Sequence, residues 1–286
     1  MTNEQKVGLI YEEPHANDYT ICMAYEDSSD VEVPANFRLD FQPPQTKQLC
    51  GNCVAQSLAN IMEVMYYNHT GKHEDFSIGF IYGNRFTHEN QGEGMTGYMA
   101  CDHLISDGDI KAKLFENPGS APSIIKKVNE FKSANPNWKD YTYVPLRYIR
   151  TKSASEAKKF VMKYKVPVMT ATNTIDYSWQ SGMHAMPLIG WKNDNTAIMQ
   201  NSWGDDKPLV ELPFEKIQEF WMVMPFELNP FTDVTEKHWA YKSIMKCVDN
   251  KIMLGYPDNT FKPNNNITRA EFCSIIYRYL KSKKEI

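Results

Sequence analysis

Gln48-Leu49-Cys50-Gly51-Asn52-Cys53-Val54-Ala55 is the stretch that decides how most of this chain folds. From Cys53 onward, Val54, Leu58, Ile61, Met62 and Met65 recur at helical spacing. The sulfur is therefore expected at a helix N-terminus, where unpaired N–H groups and the macrodipole favour an anion. A thiolate, not a thiol, attacks a carbonyl carbon, so such a position suits a nucleophilic cysteine. His184 and Asn201 follow 131 and 148 residues downstream. A histidine can hold the thiol proton and hand it to a leaving amine, and an asparagine can fix the ring that does so. His184 precedes the apolar run 185–191, and Asn201 follows the apolar run 196–199 across the turn 192–195. A hairpin would bring both side chains to one edge.

The order Cys, His, Asn, its spacing, and Asn201-Ser202-Trp203-Gly204 make residues from about 33 to about 227 resemble the papain family of cysteine proteases. The resemblance implies an α+β, two-lobed fold, a helical lobe plus a β-barrel-like lobe, with the active site in the cleft between them. It implies a cysteine endopeptidase that takes a peptide or protein in extended form and needs no cofactor or metal. Charge builds on the carbonyl oxygen during attack, so two donors are expected there. The Cys53 N–H is one. The resemblance supplies Gln48 as the other, one residue nearer the nucleophile than the family's glutamine, with Gln45 in reserve. Trp203 resembles the indole that covers the His–Asn contact. In the familiar secreted enzymes the cysteine at position 50 is paired through a Cys-Asn-Gly-Gly loop. The matching stretch here, 89–94, has no cysteine, so Cys50 is expected to lack that partner. Gly92 and Gly94 are expected to offer a backbone edge to the substrate.

Composition excludes several classes. With 35 acidic and 31 basic residues the formal charge is −4, which argues against nucleic acid or an anionic membrane surface as partner. Apolar runs are only strand-length, so no membrane span is expected, and no signal peptide is visible. Six scattered cysteines argue for mostly reduced thiols rather than a disulfide scaffold.

Three segments are expected: an N-terminal extension (1–32), a peptidase domain (33–228) and a C-terminal module (229–286). The extension reads as two short strands, 7–11 and 19–25. Its stretch 12–32 holds seven acids and no Lys or Arg. It is either packed on the body or laid down as a short self-inhibitory strap. Patterns are mainly helical from Cys53 to about 132, with one helix at 123–132. Then strands are expected at 141–150, 166–172, 183–191, 196–200 and 221–225, interrupted by a helix at 153–164 with Ser155 available as its cap.

The tail runs Phe231-Thr232-Asp233-Val234, His238-Trp239-Ala240, Leu254-Gly255-Tyr256-Pro257-Asp258, and Ile267-Thr268-Arg269-Ala270-Glu271-Phe272. It reads as helix, Gly/Pro-rich loop, helix, with Thr268 and Glu271 as a capping box and Phe272, Ile275, Ile276 and Tyr279 on one face. It resembles a single S-layer homology repeat. That resemblance implies a secondary cell-wall polysaccharide as partner, held through Trp239, Gly255, Tyr256 and Arg269, since an acidic ketal needs a fixed guanidinium and N–H donors. It places the protein at a bacterial cell surface or wall, or on a phage particle. Because one repeat buries its faces poorly, the module is expected to self-associate, as a trimer, or to dock on the peptidase. Two rivals to the endopeptidase remain: an amidase of peptidoglycan peptides, and a non-catalytic binding or structural protein built on the same fold.

Overall fold

In the computed structural model the described residues are 9–10, 31–44, 46–48, 50–85, 93–116, 121–145, 147–173, 183–204, 208–225, 231, 233–235, 238–249, 252–256 and 260–282. The chain divides into two compact units, Met1–Phe226 and Glu227–Ile286. The boundary expected at 228/229 and the extension 11–30 fall on residues outside the described ones.

The first unit holds most of its helix before residue 142 and most of its strand after it. Its helices are α1 (Cys53–Thr70), α2 (Ile78–Gly83), α3 (Gly97–Asp107) and α4 (Ala121–Ala134), with a 3₁₀ turn at Trp138–Tyr141. A further helix, α5 (Ala154–Tyr164), interrupts the strands. α1 carries the core: Val54, Leu58, Ile61, Met62 and Met65 are all buried, as their spacing predicts. Each such side chain contributes about 1.5–3 kcal/mol on burial. α5 is capped by Ser153, whose Oγ accepts from Glu156 N, and not by Ser155. A cap must stand one residue outside the first helical turn, and Ser155 lies within it.

Nine strands form one sheet among the described residues. They are β1 (Leu9–Ile10), β2 (Phe37–Arg38), β3 (Met95–Thr96), β4 (Tyr148–Thr151), β5 (Val168–Asn173), β6 (Met183–Asn193), β7 (Thr196–Gln200), β8 (Leu209–Pro213) and β9 (Ile217–Val223). The order is β3-β1-β6-β5-β9-β4, and β7 pairs with β6 and β8. β6 is the pivot, with β2 also on it, Arg38 opposite Gly190. A Cβ on Gly190 would sit 2.2 Å from the Phe37 carbonyl oxygen, so only glycine lets this strand approach. The expected strand at 141–150 is shorter: only Tyr148–Thr151 pairs with β9. β8 was not expected.

The second unit holds α6 (Tyr241–Asp249) and α7 (Arg269–Ser282) around Phe231, Val234, Ile244 and Met245. The capping box is formed: Thr268 N donates to Glu271 Oε2 at 2.8 Å and Glu271 N to Thr268 Oγ1 at 3.2 Å. Asp233 accepts from the N–H groups of Phe261 and Lys262 at 2.8 and 2.7 Å, which pins the loop between the helices. Among the described residues no helix is long and apolar enough to cross a membrane.

Candidate active site

Cys53 is the first residue of α1 and is fully buried. Asn52, at the cap position, makes no side-chain capping bond, so the N–H groups of the first turn keep their pull on an anion. The Ala185 N–H donates to Cys53 Sγ at 3.5 Å, which puts the sulfur beside the residue that follows His184. The β6–β7 hairpin brings His184 and Asn201 together as its sequence suggests. His184 Nε2 lies 3.0 Å from Asn201 Oδ1, and that oxygen also accepts from Ser202 N at 2.9 Å. An amide oxygen only accepts, so Nε2 carries the ring proton and Nδ1 keeps a lone pair. Nδ1 is buried with no hydrogen-bond partner among the described residues. Trp203 stacks on the ring, centroids 4.8 Å apart and planes 23° apart, and keeps water from the His–Asn bond.

Burial pushes the His184 imidazole down to about 4, with the Asn201 bond opposing the shift. A lone imidazolium is therefore costly here, and charge on the ring is tolerable only beside a thiolate. The same burial links stability to pH. Between 6.5 and about 4 the unfolded chain binds a proton that the folded site refuses, so stability falls as pH drops through that window. This group alone is expected to remove about 2 kcal/mol between pH 7 and pH 5. Guanidinium unfolding at both pH values, for the parent and for His184→Gln, measures it, since the variant should lose correspondingly less.

Gln48 is buried and held at three points. Its N–H donates to Ser202 O at 2.7 Å, its Oε1 accepts from Ser202 Oγ at 2.8 Å, and its Nε2 donates to Cys50 O at 2.7 Å. An amide nitrogen has two protons, so a second donor remains on the Gln48 side chain beside Cys50. Gln45, the reserve, lies outside the described residues, as does Gly92. Gly94 is buried and both its backbone groups are engaged: its N–H donates to Tyr82 Oη at 2.9 Å, and its carbonyl oxygen, an acceptor with two lone pairs, accepts from Arg85 at 2.7 Å. Cys50 is buried, and no disulfide joins it to another cysteine among the described residues.

Two features escaped the sequence reading. Glu93 Oε2 accepts from Gly51 N at 2.8 Å, tying the segment at 93–94 to the loop that precedes Cys53; no motif marks this contact. β1 lies between β3 and β6: Leu9 is paired with Met95 in parallel and with Met183 in antiparallel. These partners are the residue after Gly94 and the residue before His184. A strand near 7–11 was expected, but its partners were not legible.

In the second unit Trp239 is 92% exposed, and Arg269 is exposed at the start of α7. Tyr256 Oη donates to Glu271 Oε1 at 3.0 Å, and Lys262 Nζ stands 4.3 Å from the centre of its ring. Gly255 has a packing reason of its own, because a Cβ there would come 2.0 Å from Phe231 Cε1.

Comparison with known proteins divides along the same boundary. Residues 230–273 match the S-layer homology domain family. Over 56 residues the chain is 41% identical to cell surface glycoprotein 1 of Acetivibrio thermocellus, covering 20% of this chain and 2% of that protein. It is 39% identical over 56 residues to the cellulosome-anchoring protein of the same organism, covering 20% and 12%. The chain thus spans a small fraction of either relative. Among solved structures it is similar to xylellain, a cysteine protease from Xylella fastidiosa, with TM-score 0.60 and 17% identity over 79% of this chain and 100% of that one. It is also similar to digestive procathepsin L 3 of Tenebrio molitor, with TM-score 0.53 and 15% identity over 69% and 72%. Identities this low carry the fold alone. The chain joins a papain-like α+β fold to a C-terminal S-layer homology domain.

Proposed function

We propose that this protein is a cysteine endopeptidase that works at a bacterial cell surface. The observation that carries the reading is the His184 Nε2–Asn201 Oδ1 contact, formed one residue from the backbone N–H that touches Cys53 Sγ. The Cys53 thiol gives its proton to His184 Nδ1 as the sulfur attacks the scissile carbonyl carbon. The oxyanion takes hydrogen bonds from Cys53 N–H and the second Gln48 Nε2 proton. As the tetrahedral species collapses, the C–N bond breaks and His184 protonates the leaving amine. Water, deprotonated by His184, then hydrolyses the thioester and restores the thiol. Asn201 holds the ring in one tautomer and Trp203 keeps the pair dry. The test is covalent labelling by an epoxide thiol-protease inhibitor, with hydrolysis of a denatured protein beside it.

The second unit favours a second reading, an amidase of peptidoglycan peptides, because it would hold the enzyme where that substrate is. In both readings the S-layer homology domain anchors the protein to an acidic wall polysaccharide through Trp239 and Arg269, with Tyr256 and Gly255 shaping the loop. The names of the matched relatives, a cell surface glycoprotein and a cellulosome-anchoring protein, support that placement. Arg269→Ala is expected to weaken sedimentation with purified wall polymer by about tenfold, the worth of one charge-assisted bidentate contact, with hydrolysis in solution unchanged. α7 leaves Phe272, Ile276 and Tyr279 exposed along the face expected to be apolar, so the chain should also run as an oligomer in light scattering.

A further inference from the structure

The loop after α1 brings three chemically different side chains together, far along the helix from the nucleophile. Glu63 is buried on α1, and its Oε1 accepts from Phe76 N at 3.2 Å. Its Oε2 lies 3.4 Å from His73 Nε2, and the same nitrogen lies 3.3 Å from Asp75 Oδ1. One ring N–H points along one line and cannot serve two acceptors well. Both separations also exceed the usual N–H···O range of about 2.7–3.2 Å. They do suit three atoms around one ion: with bonds of about 2.0–2.1 Å, ligand atoms at the corners of a tetrahedron stand about 3.4 Å apart. The three ligating atoms lie within 4.8 Å of one another.

A second observation points the same way. Asp109 is fully buried, its Oδ1 accepts from Ile110 N at 2.8 Å, and its Oδ2 has no hydrogen-bond partner among the described residues. Glu63 and Asp109 are thus two buried carboxyl groups, and among the described residues neither is ion-paired to a lysine or arginine. The neighbouring Lys111 spends its ammonium on Tyr66 Oη and Glu74 Oε2. A buried carboxylate is tolerated only with a proton or a cation beside it, and a cation that binds here releases the proton. The His73 and Asp75 side chains are 29% and 71% exposed, which leaves an entry path and room for water on the remaining position.

We propose that Glu63, His73 and Asp75 form a binding site for a divalent cation of the zinc class. The mix of one imidazole nitrogen and two carboxylate oxygens, with the nitrogen at tetrahedral spacing from each oxygen, selects zinc over calcium or magnesium, which ask for more oxygens. The ion clamps the 71–76 loop to the helix that begins with Cys53. Its role is structural, since the site stands ten residues along α1 from the sulfur.

The test uses the full chain carrying Cys53→Ala, so that the reactive thiol cannot bind the metal, stripped with a chelator. Zinc titrated by calorimetry is expected to bind at one ion per chain and to raise the thermal midpoint. Cobalt in its place should give visible absorption without a thiolate charge-transfer band, the mark of nitrogen and oxygen ligands. His73→Ala, and independently the neutral and isosteric Glu63→Gln, should each weaken zinc by at least about tenfold. Zinc affinity unchanged in both variants would overturn the proposal, and so would a thiolate band or no binding at ~0.1 mM zinc.

Discussion

A Cys53→Ala variant is expected to lose epoxide labelling entirely and hydrolysis by at least about 10⁴-fold, with the same fold by circular dichroism. The loss is this large because water cannot be activated in the sulfur's place: the first-turn N–H groups of α1 and the His184 base act on an atom that is no longer there. His184→Ala should cost a similar factor, and the double variant little more than either alone, since the two groups act as one unit. Asn201→Ala should cost less. It frees the Nε2 proton from Asn201 Oδ1, a 3.0 Å contact, so the ring samples the wrong tautomer for part of the time. Gln48→Ala is expected to lower kcat by about 10²–10³-fold with KM little changed, because an oxyanion donor acts only as charge develops. Unchanged kcat in Gln48→Ala would move that donor elsewhere. Labelling that persists in Cys53→Ala would remove the mechanism, and a parent that neither labels nor hydrolyses would be a scaffold. Parallel assays on a denatured protein and on peptidoglycan stem peptides decide between the two enzymatic readings.

The parts of this site that could be read in advance are those fixed by local pattern. Cys53 begins α1 because apolar spacing starts there and Gly51-Asn52 cannot extend the helix backwards. His184 and Asn201 meet because two apolar runs flank the turn at 192–195. What stayed hidden depends on distant partners. β9 begins at Ile217, earlier than its apolar run, because Glu219 is buried within it. That carboxylate takes a bidentate pair from Arg150 on β4 at 2.6–3.0 Å, and a charge that looks like a strand-breaker is in fact a cross-strand tie. The run at 141–150 looked like one strand, yet Tyr143 leaves the sheet to exchange backbone bonds with Asp109 and to pack edge-on against Tyr66 and Phe76. β8 buries only Leu212 fully and gains its place from pairing with β7. The Glu93–Gly51 tie has no sequence signal at all, because any exposed acid would look the same.

Removing residues 1–32 is expected to raise kcat/KM on a peptide substrate by about 10–100-fold. In the proposed endopeptidase reading, an extended peptide reaches Cys53 beside the residue preceding His184 and beside the segment that follows Gly94. β1 already occupies both lines, with Leu9 paired to Met183 on one side and to Met95 on the other. A tethered strand competes at an effective concentration of about millimolar, so even a strand that binds at tens of micromolar when free holds back substrate by one to two orders of magnitude. The effect should fall mainly on KM, since the catalytic groups themselves are untouched. Ile10→Pro gives a milder form of the same test: it stiffens the strand and removes one N–H, and so should give part of the gain without removing the chain. A synthetic peptide spanning β1, added to the truncated enzyme, should inhibit it competitively. The opposite outcome is equally clear in physical terms. If truncation leaves kcat/KM unchanged and lowers the thermal midpoint, then β1 is a structural edge of the sheet, its buried Leu9 part of the core, and substrate reaches Cys53 along another line.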